Sequence, residues 1–475
     1  MKRVLAYCCS ILLLTLISLP LQAASPYRDT LSLTSAIDTL IKYELPRGSE
    51  VGILIYDLTA RRPLYAYQAD HLGHPASTMK LLTTITALSR PDANEPFRTE
   101  VWAQGRIAGD TLHGNLYVVG GMDPEFSDAD LDTLVARTAR AGFHTIAGQV
   151  CGDVSKRDSL YWGSGWLWDD NPADYQPYLS PLMLEKGVVT VTARATQAGD
   201  TASLVLTPAS GYYTVRNLTQ SRTPSARRFR VDRNWLEGGN EITVEGNVNG
   251  TLKGRVNIAH SERFFMHTFV ERLRRANVRC ADYQFAPHRP DSTSVFLARV
   301  TTSVQTVVNG VMKHSDNLNA EAMLNRLGYS TCDGLSAVCR LLRKQGLNPA
   351  DYRLADGCGL SNYNYISPEV LVAMLRYAHS RTDIFQKLYK ALPVGGVDGT
   401  LKYRMKRGTP SYQTVHAKTG SFTGVNCLAG YLQRRADSHW IAFAIMNQNV
   451  LSARKARDFQ DAVTDLIITK APQDR

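Results

Sequence analysis

The sequence predicts an α/β chain of the α+β kind: one antiparallel five-stranded sheet with flanking helices, interrupted by a large, mainly β insertion. Three observations predict it. Near the start, "EVGILIYDL", a turn at "ARRP" and "LYAYQ" read as two strands. Near the end, "YQTVHAKTG", "VNCLAGYLQ" and "HWIAFAIMNQ" read as three more, the last two joined at "RRADS". Between these ends, residues 95–295 turn into short β-like runs separated by Gly, Asn and Asp.

Along the chain, Lys2 and Arg3 precede the apolar run "VLAYCCSILLLTLISLPLQA" and the small residues Ala23, Ala24 and Ser25. That order predicts a secretory signal peptide over residues 1–23. Its apolar stretch ends at Pro20, too short for a membrane span, so the expectation is an exported, periplasmic chain with no span once the leader is removed. Residues 24–94 and 296–475 are then one discontinuous domain, and 95–295 an insertion with room for two nested domains. A helix over 77–89 follows the first two strands, with Leu81, Leu82, Ile85 and Leu88 on one face. The insertion contributes "GRIAGDTLHGNLYVVGG", "GVVTVTARAT", "ASLVLTPA", "ARRFRVDRNWL" and "EITVEGNVNGTLKGRVNI". Helical sequence resumes in "SVQTVVNGVMKHSDNLNAEAMLNRLG", "GLSAVCRLLRKQG" and "SPEVLVAMLRYAHS", and "SARKARDFQDAVTDLII" closes the chain.

The formal net charge is +11, of which Lys2 and Arg3 lie in the leader. Such a balance steers toward an anionic envelope polymer or surface. No dense Lys/Arg run with interleaved aromatics supports nucleic-acid binding. Cys8 and Cys9 fall in the leader; Cys151, Cys280, Cys332, Cys339, Cys358 and Cys427 are scattered without a CxxC pair, which argues against zinc or redox motifs and leaves open both disulfides, which an oxidising compartment permits, and small buried hydrophobes. No residue cluster has metal-ligand spacing, and no cofactor is expected.

The chemistry begins at "HPASTMK". Ser77 reads as an N-cap, yet Lys80 stands three residues on, one turn along the same face. Ser-x-x-Lys is a cheap pattern, repeated at Ser452 and Lys455. Two further features give the first one weight: Ser315-Asp316-Asn317 at a junction between helices, and Lys418-Thr419-Gly420 on a strand. A serine hydroxyl needs a base within reach, and Lys80 serves when burial and the nearby Lys418 charge favour its neutral form. Ser315 can relay a proton to a leaving amine, and Asn317 can orient both substrate and Lys80. Lys418 and Thr419 suit a free carboxylate, Gly420 allows close approach, and the N–H groups of Ser77 and Ser421 suit an oxyanion. The target is an acyl compound with a nearby carboxylate.

In this order these residues resemble the serine penicillin-binding proteins. The wide gap between Ser77 and Ser315, filled by a β insertion, is similar to the class C low-molecular-mass group, the D-alanyl-D-alanine carboxypeptidase/endopeptidases. "LADGCGLSNYN", "VGGVDGTLKYR", "AKTGSFTGVNCLAGY" and the Trp-rich "WGSGWLWDD" look like segments of that group. The resemblance implies a β-lactamase/transpeptidase-like domain and cleavage of a terminal D-Ala, or of a D-Ala–diaminopimelate cross-link, in peptidoglycan through an acyl-enzyme on Ser77. It also implies covalent inhibition by β-lactams. It sets an acidic residue against the substrate's amino group, Asp170 or its neighbour Asp169, and it leaves Cys358 where the group carries serine. Glu321 reads as a helix-surface or helix-start residue and Asp398 as a turn former. A β-lactamase, or a silent penicillin-binding sensor of the wall, are the alternatives.

Overall fold

The computed structural model describes residues 32–470 except 225–226 and 436, so the expected signal peptide lies outside the described residues. Helix α1 (Leu33–Tyr43) opens the chain, its first turn closed by the Ser35 N–H donating to Ser32 Oγ. Strands β1 (Glu50–Asp57) and β2 (Arg62–Tyr67) form the expected hairpin, and α2 (Met79–Leu88) follows, buried on every side.

The chain then leaves this unit. Strands β3 (Phe97–Ala108) and β4 (Thr111–Val119), helix α3 (Asp128–Ala139), β5 (Thr145–Ile146) and β6 (Val150–Asp153) come first. Strands β7 (Val188–Arg194), β8 (Ser203–Thr207), β9 (Thr214–Ser221), β10 (Arg230–Arg233), β11 (Glu241–Val248) and β12 (Thr251–Asn257) follow. Helix α4 (Ser261–Arg275), β13 (Tyr283–Phe285) and β14 (Ser294–Thr302) complete the excursion. They make three sheets, ordered β13-β6-β4-β3-β14 with β5 on β4, β10-β11-β9, and β12-β7-β8. β11 and β12 are consecutive but part company: β11 pairs parallel with β9, while β12 pairs antiparallel with β7. One apolar core spans all of this, from Val101 and Leu116 through Val189 and Val244 to Phe264 and Phe265. β14 returns antiparallel along β3 and delivers the chain to the helices carrying the next motif.

Those helices are α5 (Val304–Lys313), α6 (Asn317–Asn325), α7 (Thr331–Lys344), α8 (Pro368–His379) and α9 (Thr382–Ala391). The chain ends with β15 (Val415–Phe422), β16 (Gly424–Gln433), β17 (Trp440–Val450) and α10 (Ala453–Thr469). The expected five-stranded sheet has the order β15-β16-β17-β1-β2, so strands from the two ends of the chain meet at the β1–β17 pair. Strand periodicity of two splits its residues between layers. Val51, Ile53 and Ile55 pack with Phe459 and Val463 of α10 and Ile37 of α1. Ala429, Tyr431 and Ala444 face the opposite layer, with Leu82, Val308 and Leu371. Among the described residues no helix is long and apolar enough to cross a membrane, and all six cysteines are free.

Candidate active site

The three motifs converge at the edge of this sheet. Residues Ala76–Thr78 form a single 3-10 turn leading into α2. The turn moves the N-cap position to Thr78, which makes no capping bond, so Ser77 does not cap the helix as expected. Its hydroxyl instead lies 2.8 Å from Lys80 Nζ. Lys80 is fully buried, and its head also reaches Asn317 Oδ1 at 2.7 Å and the Cys358 carbonyl at 2.6 Å. Burial holds its pKa below the ordinary lysine value, against the opposing influence of Asp356, Asp316 and Glu321.

Ser315 occupies the expected break between α5 and α6, with φ +58°, a strained conformation for serine. Asp316 caps α6 by accepting from the Asn319 N–H, which sets Asn317 on the first helical position. The Asn317 amide is used on both sides: Oδ1 accepts from Lys80, and Nδ2 donates to the Tyr175 carbonyl at 2.7 Å.

Lys418 is buried in β15 and donates to Ser315 Oγ at 2.8 Å and to the Thr419 carbonyl at 2.7 Å. Its amino head therefore faces Ser315, and its pKa lies well below the usual range, through burial first and the Lys80 charge second. Thr419 Oγ1 donates to Thr400 Oγ1 at 2.7 Å, and Ser421 is exposed at the strand's end. A Cβ at Gly420 would lie 2.6 Å from the Pro75 carbonyl and 3.0 Å from Ser77 N. The close approach this glycine allows is thus to the Ser77 turn.

Ser77, Ser315, Asn317 and Ser421 line a cleft of about 420 Å3, of a size suited to a small ligand, together with Leu167, Asp170 and Tyr175. Asp170 accepts from the Tyr175 hydroxyl at 2.7 Å and lines the cleft, whereas Asp169 does not. The Trp-rich segment is fastened from behind, since Trp166 Nε1 donates to Asp356 at 2.9 Å.

The sequence reading missed several supports. Glu321 is a buried residue, not a surface one: it accepts from the Gly357 N–H at 2.8 Å, and burial, with the Asp356 charge adding, raises its pKa to about 7. Lys186, in the insertion, donates to Glu125, Asp316 and Asn319, tying the insertion to the Ser-Asp-Asn segment. Asp398 does more than form a turn, accepting from Lys313 Nζ at 2.5 Å and the Val394 N–H at 2.9 Å. In "DGCG" the sequence reading singles out Cys358 and not Asp356, and none of these partners has a spacing that signals it.

Comparison with known proteins agrees. Residues 33–470 match the family described as D-Ala-D-Ala carboxypeptidase 3 (S13). A D-alanyl-D-alanine carboxypeptidase of Actinomadura sp. (strain R39) is 30% identical over 458 residues, covering 90% of this chain and 82% of that one. Penicillin binding protein 4 of Haemophilus influenzae superposes with a TM-score of 0.76 at 22% identity, over 90% of this chain and 97% of that one. A predatory peptidoglycan endopeptidase of Bdellovibrio bacteriovorus reaches 0.51 at 14% identity, over 90% and 95%. With the family match running from α1 to the end of α10, the chain belongs to the D-Ala-D-Ala carboxypeptidase 3 (S13) family.

Proposed function

We propose that Ser77 is the nucleophile of a serine D-Ala-D-Ala carboxypeptidase and endopeptidase of peptidoglycan, working in the periplasm, with Lys80 as its base. The observation that carries this reading is the set of partners around Lys80 Nζ. A neutral amine has two N–H groups and one lone pair. Asn317 Oδ1 and the Cys358 carbonyl accept the two N–H groups, which leaves the lone pair facing the Ser77 O–H. Burial favours that neutral form.

Ser77 Oγ then forms a bond to the D-Ala carbonyl carbon as its proton passes to Lys80. The N–H groups of Ser77 and Ser421 stabilise the oxyanion. As the C–N bond breaks, Ser315, held by Lys418, gives its proton to the departing nitrogen and takes in exchange the one that Lys80 received from Ser77, so both return to their starting states. Thr419, with the Lys418 amino group behind it, receives the leaving group's carboxylate, and Asp170 faces an amine on the acyl side. Water hydrolyses the resulting ester and restores Ser77.

β-Lactams enter the same cleft as inhibitors that acylate Ser77; the Haemophilus protein has been solved with a β-lactam. A β-lactamase needs an efficient deacylating base, usually a glutamate on a separate loop. Among the described residues lining the cleft, Asp170 is the one carboxylate, and Glu321 is buried away from it. Labelling with a fluorescent penicillin tests the assignment: wild type becomes covalently labelled and Ser77→Ala does not. Equal labelling of both would overturn it.

A further inference from the structure

A second, larger concavity of about 1080 Å3 lies beyond the far end of the cleft, between the 400–409 segment and the start of α10. The two share Ser421, and the larger one also takes in Thr419 and Thr400. It therefore continues the cleft on the side away from Asp170, where a leaving group departs.

Its charges are unevenly used. Of its acids, Asp461 is paired with Arg404, Asp465 accepts from the N–H and O–H of Ser411, and Asp458 lies 3.9 Å from Arg454. The side-chain heads of its exposed cations Lys406 and Arg457 have no hydrogen-bond or ion-pair partner among the described residues, although their backbone carbonyls accept from Thr409 and Arg404. Arg454 and Arg457 also sit in the opening turns of α10, which has no acid in its first turn. Cations there oppose the helix macrodipole, so their placement costs local stability while adding to the positive field of the groove. Local rules are broken in this way where function requires it.

We propose that this groove binds the acidic peptide on the leaving side of a cross-link, making it the determinant of endopeptidase activity. This rests on the Ser77 reading above. A terminal D-Ala ends at the carboxylate met by Thr419 and leaves the groove empty. The diaminopimelate of a cross-link departs with a whole second stem peptide, whose carboxylates match Lys406 and Arg457.

The experiment compares hydrolysis of a D-Ala-D-Ala pentapeptide with that of a cross-linked peptide dimer, using the full chain. Lys406→Glu/Arg457→Glu is expected to lose about tenfold or more in kcat/KM on the dimer and to stay within about twofold on the pentapeptide. Lys406→Arg/Arg457→Lys keeps the charges and is expected to keep dimer cleavage. Fluorescent-penicillin labelling at the wild-type rate establishes that the Glu variant is folded. Equal losses on both substrates, or unchanged dimer cleavage, would overturn the inference. So would a wild type that cleaves the pentapeptide and not the dimer, with the Ser77 reading still standing. A wild type that cleaves neither defeats that reading as well.

Discussion

Lys80 sits where a cation is costly: fully buried, with two main-chain or amide oxygens and one hydroxyl as partners. With the neutral amine as the proposed base, acylation should speed up as pH rises, along a limb lying below the ordinary lysine range. Ionised Glu321 raises the Lys80 pKa. Glu321→Gln removes that charge, so the limb should move to lower pH in a labelling-rate profile; a limb that stays in place would separate the two residues. The same substitution has a stability signature. The folded pKa of Glu321, about 7, exceeds its unfolded value, so its contribution is fully present below pH ~4.5 and is lost as pH rises through 7. Glu321→Gln should accordingly gain on wild type between pH 5 and pH 8, by at most roughly 3 kcal/mol in urea unfolding. At this scale the sequence was legible through order rather than pattern. Ser452 truly caps its helix, accepting from the Lys455 N–H, while the identical spacing at Ser77 makes no cap at all. Glu321 was illegible, because its burial depends on a loop more than thirty residues away in "DGCG".

The element that holds these parts in place is the segment from Asp356 to Ser361. Asp356 accepts from the N–H groups of Gly359 and Ser361, from Asn364 and from the indole of Trp166. It thereby aims the Cys358 carbonyl at Lys80. Gly359 has φ +80°, and a Cβ there would fall 1.9 Å from the carbonyl oxygen of Ala76, beside Ser77. Gly359→Ala should cost more than about 2 kcal/mol and slow penicillin labelling, because the Ser77 turn must shift. Gly346 shares the positive φ but has open space around it. Gly346→Ala should cost only about 1 kcal/mol and leave labelling unchanged. Equal labelling by the two variants would show that the clash with Ala76 does not disturb the Ser77 turn. α10 was readable from its helical periodicity, and the β1–β2 hairpin and the last three strands from short apolar runs bounded by turn residues, β16 and β17 being buried almost throughout. Helices α3 and α4 were not: α4 carries Phe264, Phe265, Phe269 and Val270, all buried, within a stretch whose neighbours read as β. Its aromatic and β-branched residues have strand propensity that packing overrides.

For the molecule as a whole, the insertion completes the catalytic wall of the unit it interrupts. Its Tyr175 carbonyl holds the Asn317 amide, and its Lys186 donates to Glu125, Asp316 and Asn319 at 3.0, 2.8 and 2.8 Å. Asp316 in turn caps α6 and adjoins Ser315, whose strained backbone persists only if its surroundings enforce it. Lys186→Met would leave two carboxylates around one amide and uncouple the two units at this point. The three charged side chains are 22 to 27 % exposed, so solvent screens the loss, and unfolding should become easier by only about 1–2 kcal/mol. The effect on chemistry should be larger than that modest figure suggests, because misplacing Ser315 and Asn317 disturbs both the proposed proton path and the Lys80 partner. Penicillin acylation is expected to fall about tenfold or more at a temperature where the variant is fully folded. Lys186→Arg, which retains the charge and several donors, should restore most of the rate. If Lys186→Met acylates as fast as wild type, the insertion is a passenger on the site and its contacts serve only to keep the chain together.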